Sequence, residues 1–331
     1  MSKKRVVTYN KLPDAELARL ESEFDVVRFD QPGGPGEGNA DFAAALREAH
    51  GLIGASLTVG DDLLGSAEKL EAISTISVGY DQFDVPGLTR RGIVLTNTPD
   101  VLTEAVADTI FALVLAVARR VVELAEWVKA GHWKTGVGVA EYGTEVNGKT
   151  LGIVGMGRIG AAVGRRAHLG FQMPVLYHNR SQNPEAEKAL SARYCTGLEE
   201  LLRACDFVCV VLPLTPETEK RFGATEFAQM KPGAFFINGS RGRVVDEAAL
   251  IAALTNHQIA GAGLDVFEKE PMPTDSPLLK MSNVVALPHI GSATHETRYG
   301  MARCAVSNLI DALAGRRPRD VVNPEAFAHR K

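Results

Sequence analysis

The sequence predicts an α/β protein made of two doubly wound parallel sheets, and three observations predict it. Strand-like apolar runs alternate with helix-period stretches from residue 6 to residue 96, and the alternation resumes over 151–287. Between the two series lies a long apolar helical segment, 103–129, and then an excursion over 132–149. The second series opens on three glycines, Gly155, Gly157 and Gly160, in the spacing G-x-G-x-x-G. At 331 residues the chain is long enough for two cored domains.

In the first series, 6–9, 26–29, 51–54, 73–77 and 93–96 read as strands, and 14–21 and 41–49 as helices. Gly33-Gly34-Pro35-Gly36-Glu37-Gly38 sits between a strand and a helix but reads as a loop. Pro35, the absence of a strand ending at Gly33 and the absence of a following Lys-Ser or Lys-Thr all oppose a phosphate cradle. Ser77-Val78-Gly79-Tyr80-Asp81 follows a strand and places a glycine where backbone N–H groups can face a ligand anion. A plain turn fits these five residues as well.

Ile110, Leu113, Val114, Val117, Val121 and Leu124 recur at helical spacing, and Gly131 closes the run. The segment reads as one helix, 103–129. Its middle is apolar almost all round and is expected to be buried, in part by another subunit. The excursion carries Trp133 and Gly136, Gly138, Gly143 and Gly148.

In the second series, strands are expected at 151–154, 174–178, 207–212, 234–239, 261–266 and 284–287. Gly155 permits the tight turn after the first of them, Gly157 lets backbone approach a pyrophosphate, and Gly160 lets the next helix pack on the strand. That helix runs from Arg158 to Leu169, with Gly170 as its stop, and its N-terminus offers unpaired N–H groups to an anion. The arrangement predicts dinucleotide binding. An NAD site of this type places an acidic residue ~20 residues further on, to hold the ribose 2′-OH. Here the strand runs into Asn179-Arg180-Ser181, with no carboxylate. Arg180 can grip a 2′-phosphate as a fork and Ser181 can donate a hydroxyl, so NADPH is expected over a weaker NADH. A last helix, 294–314, is stopped by Gly315; it follows the final strand and can return to the first domain, making that domain discontinuous.

The bulk numbers exclude several classes. The net charge is −4 with no basic stripe, which excludes nucleic acid and anionic membrane surfaces as partners. The longest apolar run, 110–118, is too short for a bilayer, which needs ~20 residues. Met1-Ser2-Lys3-Lys4-Arg5 runs straight into a strand rather than into a signal-peptide core, so a cytoplasmic protein is expected. Cys195, Cys205, Cys209 and Cys304 lack metal-ligand spacing and read as free thiols; no metal site is expected.

Of the eight histidines, His289 is singled out by position. It directly follows the strand at 284–287 and Pro288, as Arg241 follows the strand ending near Asn238 and Glu270 the strand ending near Val266. All three lie past the carboxyl ends of parallel strands, where open α/β sheets bind ligands. An arginine, a carboxylate and a histidine at a nicotinamide suit hydride transfer to an anionic 2-oxoacid. A surface ion pair between Arg241 and Glu270 is the plainer alternative.

Four stretches carry a resemblance: Leu151-Gly152-Ile153-Val154-Gly155-Met156-Gly157-Arg158-Ile159-Gly160, Asn238-Gly239-Ser240-Arg241-Gly242, Gly263-Leu264-Asp265-Val266-Phe267-Glu268-Lys269-Glu270-Pro271 and Pro288-His289-Ile290-Gly291. They resemble the D-isomer-specific 2-hydroxyacid dehydrogenases over essentially the whole chain. Residues 74–84, 101–122 and 289–308 are most similar to the branch that reduces glyoxylate, hydroxypyruvate and 2-ketogluconate. The resemblance implies a Rossmann dinucleotide-binding domain, 101–291, and a flavodoxin-like substrate domain, 1–100 with 292–331. It implies that Arg241 binds the substrate carboxylate and carbonyl, that His289 donates the proton with Glu270 as its pair, and that backbone at Val78 and Gly79 holds the carboxylate. It places Gly155, Gly157, Arg158, Ile159 and Gly160 with Asn179, Arg180 and Ser181 along the cofactor. It also places Pro213, Thr218, Gly239, Ser240, Asp265 and Gly291 on the cofactor side. Ser240 stands where many members carry Thr or Ala, an exchange of one small residue for another. The expected assembly is a homodimer through the cofactor-binding domain, and the expected motion is closure about 98–103 and 288–294. Two alternatives stay open. One is an NAD-dependent enzyme of the phosphoglycerate type, which Arg180 and the lack of a long C-terminal extension oppose. The other is a non-catalytic, corepressor-like NAD(P) sensor.

Overall fold

The computed structural model describes residues 3–30, 39–55, 57 and 64–329; the glycine-rich loop at 33–38 lies outside them. The chain divides into two compact units, Met1–Leu102 with Thr294–Lys331, and Thr103–Ala293.

In the first unit, β1 (Arg5–Thr8), β2 (Asp25–Arg28), β3 (Gly51–Gly54), β4 (Ala72–Thr75) and β5 (Val94–Thr96) form one parallel sheet in the order β2-β1-β3-β4-β5. This is a flavodoxin-like order, in which parallel strands are joined by crossover connections. The strands β3 to β5 are buried throughout, as a sheet covered on both faces requires. Part of that cover is the helix His295–Leu313, from the far end of the chain. It packs so closely on β3 that a Cβ at Gly51 would stand 2.8 Å from Leu313 Cδ1. The Ser74 hydroxyl of β4 donates to Ala305 O of the same helix (2.8 Å), and Asn308 Nδ2 donates to Asn97 O (3.2 Å). Thr294 caps the helix by accepting from Thr297 N.

In the second unit, seven parallel strands run β12-β11-β10-β9-β6-β7-β8: β6 (Leu151–Val154), β7 (Val175–His178), β8 (Arg193–Tyr194), β9 (Phe207–Val210), β10 (Phe235–Asn238), β11 (Gly261–Leu264) and β12 (Val284–Ala286). Leu151 of β6 pairs with Val175 on one side and with Phe207 on the other. Strand order therefore reverses at β6, and the glycine turn leaves the sheet at that switch point. The two parallel sheets are those the alternation predicts.

Three details differ from the sequence reading. The segment 103–129 is two helices, Thr103–Ala118 and Val121–Lys129, with Arg120 between them at φ 55°. An unbroken helix would pair Ala118 O with the amide of residue 122; here Thr144 N takes that carbonyl at 2.7 Å. Arg120 turns out and pairs with both oxygens of Glu123, each at 2.7 Å. Only the first helix is buried: Ile110, Leu113, Val114 and Val117 pack under the sheet, whereas the second has no buried residue. The helix after β6 is regular over Arg158–Arg165 and widens to a π turn over Arg166–Gly170. Finally, β8 is a two-residue edge strand, too short to show a period; β9 and β11 end two residues, and β10 one residue, earlier than their apolar runs. The shortening leaves Gly239 to Gly242 and Asp265 to Glu270 as connections, which is where the polar side chains gather.

All four cysteines are free thiols, three of them buried, and burial pushes Cys205 and Cys304 up to about 12. Among the described residues no helix is long and apolar enough to cross a membrane.

Candidate active site

The glycine turn is built as its spacing demands. Gly155 has φ +103°, and its N–H donates to His178 O of β7 at 3.1 Å. A side chain there would be strained, and its Cβ would stand 2.4 Å from Val211 O. A Cβ at Gly160 would lie 2.3 Å from Gly155 O, so the helix can approach the turn only without one. Nothing stands within 4 Å of the Cβ position of Gly157, which caps the eight-residue helix Arg158–Arg165. That open backbone at a helix N-terminus fits a pyrophosphate. Arg158 is exposed in the first turn, and Ile159 packs partly into the core.

The loops after β7 and β9 flank this turn. Asn183 Nδ2 donates to Met156 O at 3.0 Å, and Tyr194 Oη donates to Asn179 O at 3.1 Å, which ties 179–183 beside the glycines. Arg180 and Ser181 are exposed there, with no acidic residue in the stretch. Across from them the Thr218 hydroxyl donates to Pro213 O (2.7 Å) and accepts from Thr215 N (2.8 Å), so Thr218 acts as a staple of its own loop. The loop presents Glu217. Hydrogen bonds from Thr215 and from its own amide, and then the charge of Arg180, hold its carboxyl below the usual range. The motif reading passes over Glu217, and an exposed carboxylate in a loop gives no signal of its own.

Arg241, Glu270 and His289 are brought together past β10, β11 and β12. His289 Nδ1 and Glu270 Oε2 are 2.7 Å apart, and Glu270 Oε1 accepts from Phe267 N at 3.0 Å. Burial works to raise the Glu270 carboxyl. The bond to His289, the Phe267 amide and the charges of His289 and Arg241 outweigh it, and the carboxyl lies below its ordinary range. Arg241 Nη1 donates to Ser240 O at 2.9 Å. The turn at Arg241 presses on the Glu270 connection: a Cβ at Gly242 would fall 1.8 Å from the Phe267 carbonyl carbon. Gly242 is thus a contact between two site loops, a role its place in the motif does not disclose.

His289 has φ 54°, an uncommon conformation for a side chain that is not glycine. Asp265 holds it there. This residue is 3% exposed; its Oδ1 accepts from Ile290 N (2.7 Å) and its Oδ2 from Gly291 N (2.8 Å). Burial raises the Asp265 carboxyl, and the two amides offset part of that rise. Asn238, 1% exposed, does the same for Arg241. Its Oδ1 accepts from Ser240 N (3.0 Å) and Oγ (2.8 Å), and its Nδ2 donates to Arg241 O (3.0 Å). Gly239 lies against Ile110 of the buried helix, where a Cβ would be 2.4 Å from Cγ1.

Val78 and Gly79 belong to the other unit. Their bend is held through its carbonyls: Asn97 Nδ2 donates to Val78 O (2.9 Å), the Ser77 hydroxyl to Gly79 O (2.5 Å) and Thr98 N to Ser77 O (2.9 Å).

Residues 111–291 match the model of the D-isomer specific 2-hydroxyacid dehydrogenase NAD-binding domain. The chain belongs to the D-isomer specific 2-hydroxyacid dehydrogenase family. Family members similar to it along its length include the glyoxylate/hydroxypyruvate reductase B of Citrobacter koseri, 58% identical over 98% of this chain and 99% of its own. That of Salmonella typhimurium is 59% identical over 98% and 99%. Among solved structures, an NADPH-dependent glyoxylate/hydroxypyruvate reductase from Sinorhizobium meliloti, in complex with NADP and malonate, superposes with a TM-score of 0.87. It is 35% identical and covers 100% of this chain and 99% of that one.

Proposed function

We propose that the protein reduces small 2-oxoacids to D-2-hydroxy acids with NADPH, in the cytoplasm, with glyoxylate and hydroxypyruvate as substrates ahead of 2-ketogluconate. The observation that carries the reading is the His289–Glu270 pair at 2.7 Å beside Arg241, on the strand ends next to the glycine turn. The names of the relatives at 58–59% identity support the two preferred substrates. A steady-state screen of short 2-oxoacids with NADPH and NADH tests it; preference for a large apolar 2-oxoacid, or saturable cofactor binding without turnover, would overturn it.

Bound NADPH supplies the hydride. The chain supplies the rest. Arg241 would hold the carboxylate of the substrate and polarise its carbonyl, and the backbone amides of Val78 and Gly79 are proposed as carboxylate contacts in their own right. As charge grows on the carbonyl oxygen, His289 delivers a proton to it through Nε2, since Nδ1 faces Glu270. Asp265 and Gly291 would line the nicotinamide side, and Gly239, Ser240, Pro213 and Thr218 would line the remainder of the cofactor groove.

Glu270→Gln tests the pair through its pH profile. With its carboxyl held below the usual range, Glu270 is ionised at neutral pH and loses that charge only as pH falls through its lowered value. A carboxylate favours imidazolium, the form that reduction consumes. In Glu270→Gln the fall of reduction rate with rising pH is expected to begin at lower pH, with a modest change in substrate KM. An unmoved alkaline limb would count against the pairing.

Arg180 and Ser181 are proposed to receive the 2′-phosphate of NADPH. Wild-type kcat/KM should be higher with NADPH than with NADH. Arg180→Ala should lose roughly tenfold to a hundredfold with NADPH, the span of ~1.5–3 kcal/mol for hydrogen bonds to a charged group, and little with NADH. Equal losses with the two cofactors would remove Arg180 from this role.

The assembly is proposed to be a homodimer through the cofactor-binding domain. Val121, Val122 and Val128 on the second helix and Trp133, Val137, Val139 and Tyr142 on the excursion are all exposed, Val139 at 80%. So much apolar surface in one stretch is unusual on a monomer and suits a second copy. Light scattering at micromolar concentration should give twice 35.5 kDa, and Val139→Asp should shift the mass toward the monomer. A wild-type monomer would contradict it.

A further inference from the structure

We propose that Asn238 is a positioning residue that sets the Arg241 guanidinium for the substrate carboxylate, an inference that rests on Arg241 being the anion anchor. Asn238 ends β10 and is buried, yet its side chain spends every hydrogen bond on the turn that carries Arg241. Its Oδ1 accepts from Ser240 N (3.0 Å) and from Ser240 Oγ (2.8 Å), and its Nδ2 donates to Arg241 O (3.0 Å). Three bonds within a four-residue turn fix the 239–240 and 241–242 peptide planes, one on each side of the Ser240–Arg241 pair. The guanidinium is tied back as well, with Nη1 donating to Ser240 O at 2.9 Å. The position of Ser240 is thus set by Asn238 and in turn sets the direction of the Arg241 head group.

The same residue joins this turn to the proton donor. The main-chain carbonyl of Asn238 accepts from Asp265 N at 3.0 Å, and Asp265 accepts the amides of Ile290 and Gly291 next to His289. The backbone bond is part of the β10–β11 ladder's continuation and survives any substitution at Asn238. Only the side-chain clamp on Ser240 and Arg241 is removed. The consequence is selective: loss of Asn238 should loosen the anion grip and leave His289 and the glycine turn in place. A carboxylate ligand held by a misaimed fork loses one of two parallel bonds, so substrate KM rises more than kcat falls.

The test is a double-mutant cycle of Asn238→Ala with Arg241→Lys, following KM for glyoxylate, kcat, NADPH affinity by fluorescence and thermal unfolding. Asn238→Ala should raise KM by roughly tenfold to a hundredfold, with kcat and NADPH affinity changed less. In the Arg241→Lys background the same substitution should add less than about threefold, because the fork it positions is already gone. Full additivity would show that Asn238 acts elsewhere and would overturn the inference, as would an unchanged KM in Asn238→Ala. If instead Arg241→Lys alone leaves KM unchanged, the anchor itself has been misread, a separate outcome from failure of the clamp. Should Asn238→Ala unfold, Asn238→Asp keeps the shape and the acceptor toward Ser240 while removing the donor to Arg241 O. It should show the same rise in KM, and a wild-type KM in that variant would also overturn the inference.

Discussion

His289→Ala is expected to lower kcat for glyoxylate reduction by ~100- to 10,000-fold, the range of a positioned general acid, while NADPH affinity stays at its wild-type value. The expectation follows from what the neighbours can do. A guanidinium such as that of Arg241 keeps its proton and has none to give. Glu270 is held ionised by the bonds it makes, so at neutral pH it is an acceptor. Water can protonate the carbonyl oxygen, but without a fixed position. The substitution also removes a side chain from a position at φ 54°, which alanine tolerates poorly, so the Asp265 bonds to Ile290 and Gly291 must keep the turn in place. Unchanged NADPH affinity and unchanged thermal unfolding would establish that they do. Near-wild-type kcat would mean that the acid has been misassigned.

The two sheets and the glycine turn were legible in the sequence because each rests on local periodicity and spacing. Strand runs of buried β-branched residues, and successive glycines two and three residues apart, are one-dimensional signals. The grouping of Arg241, Glu270 and His289 was legible for a related reason: each lies in the connection that follows a strand, and parallel strands end on one edge. What was not legible was set by contacts distant in sequence. The break at Arg120 depends on Thr144 arriving at Ala118 O, which no helical pattern over 103–129 can announce. The contact that makes Gly242 necessary is with Phe267, 25 residues on. Asn238 reads only as a strand-end residue and Asp265 only as a cofactor-side one, and their bonds alone reveal what they hold. Glu217 comes beside Arg180 because β7 and β9 lie on either side of β6, a consequence of strand order rather than of either loop's sequence.

Arg241→Ala should be as damaging as loss of the acid but in a different pattern, and the difference separates the two roles. Arg241 is assigned two tasks, and a substitution removes both. Losing the charge-assisted bonds to the carboxylate should raise KM for glyoxylate roughly tenfold to a hundredfold, from ~1.5–3 kcal/mol for hydrogen bonds to a charged group. Losing the donor aimed at the developing oxyanion should lower kcat by a further ~100- to 1,000-fold. His289→Ala, by contrast, is expected to act on kcat with little change in KM, since its proton is needed only as the hydride moves. Arg241→Lys supplies the internal control. It keeps the charge but not the planar fork, so part of the kcat loss should return while KM stays raised. The structure adds a further constraint. Ser240 O already takes one Nη1 hydrogen of Arg241 at 2.9 Å, and a lysine in its place can reach that carbonyl or the substrate but lacks the second arm to hold them together. An Arg241→Ala enzyme with wild-type KM would remove Arg241 from carboxylate binding. It would leave the His289–Glu270 pair as the acid.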